Sequence, residues 1–403
     1  MNPLRKIYCR TFQTVFHIAL PILPYREPEQ LESITALPAL LKKKQIHSVL
    51  LVTDPFLRTN GATNVLEQTL CANNISCAVY DKTCANPTVD NAKEAARVYL
   101  KEHCEALIAF GGGSSIDCAK AAGAKIAYPK KSFEQLKGLL KVLKKIPPLI
   151  AIPTTAGTGS EVTLTAVITD NRKKHKYTMN DFTLIPRYAV LDPKVTYSLP
   201  AHLTATTGMD ALTHAVEAYI GNSTSKETRS LALDAVKLIF ENIETACQES
   251  KNAAARKNML DAAYKAGIAF SKSYVGYIHA IAHSLGGQYN IPHGFANAVL
   301  MPIVLPEYGK YAYKKLHQLG IAAGVSSNND TDKLGAEKFI TAIKNLNHRI
   351  NIPETISGIK KEDIPQMARH ADKEANPLYP VPKLMDAEEL EKIYYKAADW
   401  SNL

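Results

Sequence analysis

The hydrophobic pattern of this chain changes period once, near residue 200, and that change limits the folds open to it. Before it, short apolar runs rich in branched residues stand at 47–53 (HSVLLVT), 76–80 (SCAVY), 106–110 (ALIAF) and 148–152 (PLIAI). Helix-like stretches such as DNAKEAARVYLKEH at 90–103 separate them. Strands alternating with helices predict a parallel sheet covered on both faces, whose strands read as unbroken apolar runs. VTLTAVIT at 162–169 and YAVL at 188–191 add strand-like segments. After residue 200, RSLALDAVKLIFENIETACQ and AAARKNMLDAAYKAGIAF repeat apolar positions every three or four residues, the period of packed helices. A chain of 403 residues is too long for one compact core. The pattern predicts an α/β domain over 1–198 followed by an all-α domain over 199–403, with the boundary near DPKVTYSLPAHL, where prolines mark a loop.

Composition narrows the class of partner. Lys and Arg number 48 against 38 acids, a net charge of +10, but the basic residues lie in small scattered groups: Lys42–Lys44, Lys130 and Lys131, Lys144 and Lys145, Arg172–Lys174. A nucleic-acid binder gathers them into one stripe with interleaved aromatics, so no nucleic-acid partner is expected. A mild positive field would favour the arrival of an anionic cofactor. The seven cysteines form no CxxC pair, which argues against a disulfide framework or a cysteine metal site and fits a reducing cytoplasm. The first 26 residues lack acids and include TVFHIALPILPY, but Pro21 and Pro24 break this run and it is too short to span a membrane. It is read as an N-terminal arm or buried strand, with a targeting role as the lesser option; no membrane partner is expected.

Two loops in the first half have the chemistry of phosphate and nucleotide binding. In ALIAFGGGSSIDCAK (106–120) a strand ends, three glycines follow and a helix begins. Glycines allow close backbone approach to a pyrophosphate, and a helix N-terminus offers N–H groups and a positive dipole end. Ser114 is the expected cap, with Asp117 as capping-box partner; a plain capped turn reads equally well from this stretch alone. In IPTTAGTGSEVT (152–163), Thr154, Thr155, Thr158 and Ser160 alternate with small residues after another strand. Ligands of open α/β sheets bind at the carboxyl ends of strands, so the two loops together say more than either alone. Asp54 ends LLVTD and could hold a ribose hydroxyl of NAD or simply cap a helix; Arg58 nearby keeps NADP open.

The second half concentrates imidazoles. HAIAHSLGGQYNIPH (279–293) holds three of the chain's 12 histidines. Asp210 and His214 in TGMDALTHAVEAY are four residues apart, as are His279 and His283, so each pair shares a helix face. Pro292 blocks helix continuation, and His293 follows it. One carboxylate and several imidazoles on helices suit Fe²⁺ or Zn²⁺. HAIAH lacks the glutamate of the HExxH protease motif.

NPT (86–88), GGGSSIDCAK (111–120), IPTTAGTGSEVT (152–163), TGMDALTHAVEAY (207–219) and HAIAHSLGG through PHG (279–294), in this order, resemble the iron-containing, or group III, alcohol dehydrogenases. The resemblance implies an N-terminal Rossmann-like domain, a C-terminal helical domain and an active site in the cleft between. It also implies reversible hydride transfer between a small primary alcohol or diol and NAD, with NADP less favoured, by a homodimer or larger oligomer. By resemblance Asp210, His214, His279 and His293 are the metal ligands, with Fe²⁺ expected and Zn²⁺ possible. His283 matches a catalytic histidine near the nicotinamide that moves protons. Gly112, Gly113 and Ser114 match the pyrophosphate loop, Thr154 and Thr155 match residues beside the adenine half, and Asp54 matches the acid that favours NAD. Asn86, Ser160 and Lys176 are further cofactor contacts. Dehydroquinate synthase and glycerol dehydrogenase share this architecture; the first needs a basic cluster for a substrate phosphate, which is missing near the histidines, and the second has three metal ligands, against which His214 is a fourth. Two departures stand out. The first 25 residues are longer than usual for the family. ANPLYPVPKL (375–384) has Leu378 where family members often carry the arginine of Asn-Pro-Arg, in a region bordering the substrate side.

Overall fold

The computed structural model describes residues 1–19, 24–171 and 175–401. Among the described residues there are nine strands: β1 (Glu29–Leu31), β2 (Ser48–Val52), β3 (Ser76–Tyr80), β4 (Ala106–Gly111), β5 (Gly138–Leu139), β6 (Leu149–Pro153), β7 (Thr165–Asp170), β8 (His175–Asn180) and β9 (Tyr188–Val190). Six form one sheet in the order β1-β9-β6-β4-β2-β3, every pair parallel. The other three form a small sheet, β5-β8-β7, in which β7 and β8 pair antiparallel.

The apolar runs are unbroken because both faces of the large sheet are buried. Val49, Leu51, Ile108, Phe110, Ile150 and Ile152 enter one core, while Leu50, Val52, Leu107, Ala109, Leu149 and Ala151 enter the core on the opposite face. Successive side chains alternate between the faces, so both parities must be apolar. Apart from the edge strand β1 beside β9, the strand order runs outward from β2 in both directions and reverses between β2 and β4, the doubly wound order in which a crevice opens where the direction switches. Asp54 follows β2 and the three glycines end β4, so both flank that switch point.

The chain divides into two compact units, one from Pro24 to Leu199 and one holding the chain after Pro200. The second unit is helical, with helices that include Ala201–Ile220, Lys226–Gln248, Ala253–Ser273, Tyr277–Tyr289, His293–Val304, Tyr313–Ala322, Ile364–Ala375 and Ala387–Ala397. The N-terminal segment departs from expectation: it is a helix, Pro3–Ala19, not a strand, and it groups with the helical unit rather than with residues 24–199. Polar contacts hold it there. The Arg5 guanidinium forks onto Asp372 with two bonds of 2.8 Å, Arg10 donates to the carbonyls of Val381 and Pro382, and Gln13 donates to those of Pro377 and Tyr379. Bidentate Arg–carboxylate pairs fix geometry as well as charge. Residues 20–23, which include Pro21, and the Arg172–Lys174 run lie outside the described residues. Among the described residues no helix is long and apolar enough to cross a membrane.

Candidate metal centre and cofactor loops

In the helical unit, three helices bring the predicted ligands together. Asp210 and His214 stand one turn apart on Ala201–Ile220, His279 lies on Tyr277–Tyr289, and His293 is the first residue of His293–Val304, after Pro292. One ligand atom from each of the four residues lies within 4.8 Å of the others. Close helix approach makes this possible: a Cβ on Gly294 would sit 2.4 Å from the carbonyl oxygen of Thr206. The His214 ring stacks on His279 at 4.5 Å and on Phe270 at 4.1 Å. Asn297 donates to Asp210 Oδ1 at 2.7 Å and lies 3.1 Å from His293 Nε2.

The residues fit a divalent ion. His279 Nδ1 lies 2.6 Å from Glu217 Oε2, while His279 Nε2 is buried without a hydrogen-bond partner. A carboxylate accepts and does not donate, so Glu217 places the ring proton on Nδ1 and turns the Nε2 lone pair toward the other three side chains. Burial, reinforced by the neighbouring imidazoles His214, His293 and His283, holds the His279 pKa well below the ordinary value, so the ring is neutral as a ligand must be. Glu217 is itself buried, and burial pushes its carboxyl up to about 7 against the pull of hydrogen bonds from the Gly276 and Ile278 amides. Four O/N donors at this spacing suit an ion bound at about 2.0–2.2 Å. Glu217 was not singled out from the sequence, although Asp210, His214 and Glu217 follow the i, i+4, i+7 rhythm of one helix face.

His283, one turn beyond His279, stays outside the four-ligand group. Its ring stacks on His293 at 5.1 Å, and its side chain is 43% exposed. Its Nδ1 contacts Glu374 Oε1 at 2.6 Å. Burial lowers its pKa, but the charge of Glu374 and the hydrogen bond to it prevail and raise it.

In the sheet unit the glycine loop has the shape its sequence suggests, with a different cap. Gly111 has φ +152° and its missing side chain leaves room for Ser115, whose Oγ would lie 2.4 Å from a Cβ there. Gly112, not Ser114, is the N-cap of the helix Gly113–Ala127, and no side chain caps it. Asp117 is drawn away instead: its oxygens accept from Ser160 Oγ at 2.6 Å and from the Val167 amide at 3.0 Å. Glycine at the cap leaves the helix start open to an anion, whereas a serine would have closed it. Ser114 sits in the first turn. Gly112 and Gly113 lie against Thr155 and Thr158, so the two predicted loops touch, and the Thr154 amide donates to the Gly111 carbonyl at 3.0 Å.

Ser160 is buried, and its hydroxyl is engaged between Asp117 and Lys120, so it is a brace rather than a group presented to a ligand. Lys120 was missed. Its buried Nζ reaches Ser160 Oγ, the Thr163 carbonyl and Oγ1, and the Thr165 carbonyl at 2.8–3.0 Å, tying the glycine-loop helix to the threonine loop. Burial lowers its pKa to about 8. Asp54 caps the helix Pro55–Thr59 through Leu57, and Arg58 is bound to Glu67 and Thr63. Asn86 is exposed and left-handed at φ +59°. Lys176 pairs with Thr169 in β8; its side chain lies outside the description.

Comparison with known proteins gives the family. Residues 30–193 match the family described as iron-containing alcohol dehydrogenase, and residues 204–398 match the C-terminal part of the Fe-containing alcohol dehydrogenase family. The chain belongs to the iron-containing alcohol dehydrogenase family. It is 37% identical to alcohol dehydrogenase 4 of Saccharomyces cerevisiae over 335 residues, covering 82% of this chain and 86% of that protein. It is 35% identical to the NAD-dependent methanol dehydrogenase of Bacillus methanolicus over 333 residues, covering 82% and 87%. A crystal structure of a 1,3-propanediol oxidoreductase superposes with TM-score 0.88 at 34% identity, covering 93% of this chain and 99% of that one.

Proposed function

We propose that this chain is a metal-dependent, NAD-linked oxidoreductase that interconverts small primary alcohols or diols with their aldehydes. The observation that carries the reading is the convergence of Asp210, His214, His279 and His293 with the buried, unpartnered Nε2 of His279 turned into the group. A divalent ion there would supply Lewis-acid polarisation of the substrate oxygen, and the nicotinamide would accept the hydride. Fe²⁺ and Zn²⁺ both suit this ligand set. Oxidation removes a hydride from carbon and a proton from the hydroxyl, leaving aldehyde, NADH and H⁺. His283 takes that proton toward solvent, for which an imidazole at an exposed position is suited. Gly112, Gly113 and Ser114 offer open amides to the pyrophosphate at a helix start that no side chain caps. Thr154 and Thr155 line the adjoining loop, and Asn86 adds an exposed amide group. Asp54 at the switch point favours the free ribose hydroxyl of NAD over the phosphate of NADP. The engagement of Arg58 by Glu67 supports the same preference, because it occupies the cation four residues beyond Asp54 that could have met that phosphate.

The test is an anaerobic assay of NADH oxidation with short aldehydes and hydroxyaldehydes, using Fe²⁺-loaded, Zn²⁺-loaded and metal-free protein, with NADPH as a second arm. Metal-dependent loss of NADH absorbance, faster than loss of NADPH, is expected. Equal rates with and without metal would overturn the metal centre's role, and equal use of NADPH would overturn that of Asp54.

A further inference from the structure

The contact between His283 and Glu374 joins residues 91 positions apart and belongs to none of the motifs of the sequence. Glu374 lies in the last turn of the helix Ile364–Ala375, at the start of the segment whose sequence departs from the family's Asn-Pro-Arg pattern. Its Oε1 is 2.6 Å from His283 Nδ1 and also accepts from the Tyr379 hydroxyl at 2.7 Å. Tyr379 is buried, and its own carbonyl is held by Gln13 of the N-terminal helix at 2.7 Å. A carboxylate that is already accepting from a phenol is a fixed acceptor, and a ring nitrogen facing it must carry hydrogen. The neutral His283 ring therefore has its proton on Nδ1, and Nε2 is left as the nitrogen that accepts one. The hydrogen bond at one ring nitrogen decides what the other can do.

We propose that Glu374, steadied by Tyr379, is the positioning residue for His283: it fixes ring orientation and tautomer so that Nε2 is ready to take the alcohol proton. The inference rests on the reading of His283 as the proton carrier. Without the carboxylate nothing holds the proton on Nδ1, the ring exchanges tautomers even while stacked on His293, and only a fraction of molecules present the correct nitrogen at any moment. The competing role for Glu374 is a plain staple between the helices Tyr277–Tyr289 and Ile364–Ala375.

The experiment uses full-length, Zn²⁺-loaded protein labelled with ¹⁵N-histidine, as wild type, Glu374→Ala, Glu374→Gln, Tyr379→Phe, His283→Ala and Glu374→Ala/His283→Ala. The wild-type His283 resonances should show Nδ1–H with unprotonated Nε2, and Glu374→Ala should show mixed tautomers. In NADH-dependent aldehyde reduction, Glu374→Ala should lower kcat about 10- to 100-fold. KM values and zinc stoichiometry should hold within about twofold, and added formate should restore part of kcat. Tyr379→Phe should show the same change more weakly, Glu374→Gln should not rescue, and Glu374→Ala should cost nothing further in the His283→Ala background. An unchanged tautomer, a full additional loss in the double variant, or a loss of zinc in place of kcat would each overturn the proposal and leave the staple. Should the wild type turn over no aldehyde, the functional reading fails, while the tautomer comparison still decides whether Glu374 sets the ring.

Discussion

Glu217 shows how much one side chain can decide. Its Oε2 orients His279 while both oxygens accept backbone amides at the start of the helix Tyr277–Tyr289, whose N-cap, Gly276, has no side chain to do so. Glycine at 276 is itself required, because a Cβ there would lie 2.7 Å from Glu217 Oε1. Carboxylates behind ligating histidines typically contribute 10- to 100-fold in metal affinity. Glu217→Gln should therefore weaken Zn²⁺ binding by about that factor, measured by competition with a chromophoric chelator. Unchanged affinity would show that the ring is oriented by its stacking on His214 alone. Of the four converging residues, Asp210 and His214 were legible as an i, i+4 pair and His279 and His293 as parts of a histidine-rich stretch, because helices write their faces into local spacing; the resemblance to the family, not the spacing, set His283 apart from them. Asn297, Lys120 and Glu374 were not, since each acts on a partner far away in sequence or through a buried network; Glu217 shares the helix face of Asp210 and His214, but that rhythm does not reveal its partner His279, 62 residues on. Ser160 was misread for the same reason: a hydroxyl in a glycine-rich loop looks available until the lysine and aspartate around it are known.

Among elements, the end of the helix Ala201–Ile220 carries a measurable signature. Lys315, from the helix Tyr313–Ala322, donates to the carbonyls of Ile220 at 2.9 Å and Gly221 at 2.5 Å, satisfying acceptors that a helix C-terminus leaves open. Burial, with a smaller push from Arg229, lowers its pKa from 10.5 to about 8. Between about pH 8 and 10.5 the unfolded chain binds the proton that the folded chain has released, so stability from this group rises with pH across that window and its cost is fully present below it. Urea melts at pH 7, 8.5 and 10 should show the wild type gaining on Lys315→Met as pH rises; parallel curves would mean that the ammonium keeps its ordinary affinity for protons. The long helices and the central strands were readable from periodicity. β1, β5 and β8 were not, being short or polar and placed by their neighbours. The N-terminal helix was taken for an arm or strand because Pro21, Pro24 and the apolar run they interrupt dominate the local sequence, while Arg5, Arg10 and Gln13 find their partners more than 360 residues away.

At the scale of the molecule, the family's two matched segments, 30–193 and 204–398, meet where the structure divides, around Leu199 and Pro200. The proposed metal ligands all lie in one unit and the nucleotide loops in the other. A ligand present at 100 times its dissociation constant stabilises the state that binds it by about 2.7 kcal/mol. For units of this size that is about 5–10 °C in melting temperature. Calorimetry should thus show Zn²⁺ raising the transition of the helical unit and NADH that of the sheet unit. A single transition that moves equally with either ligand would show the two units unfolding as one.

The structure fastens the helix Pro3–Ala19 to the segment 372–382 through Arg5, Arg10 and Gln13. Without residues 3–19 the Asp372 carboxylate and the carbonyls of Pro377, Tyr379, Val381 and Pro382 would lose these donors. Any engineer who wants the Glu374–Tyr379 corner in another scaffold has to move both pieces together.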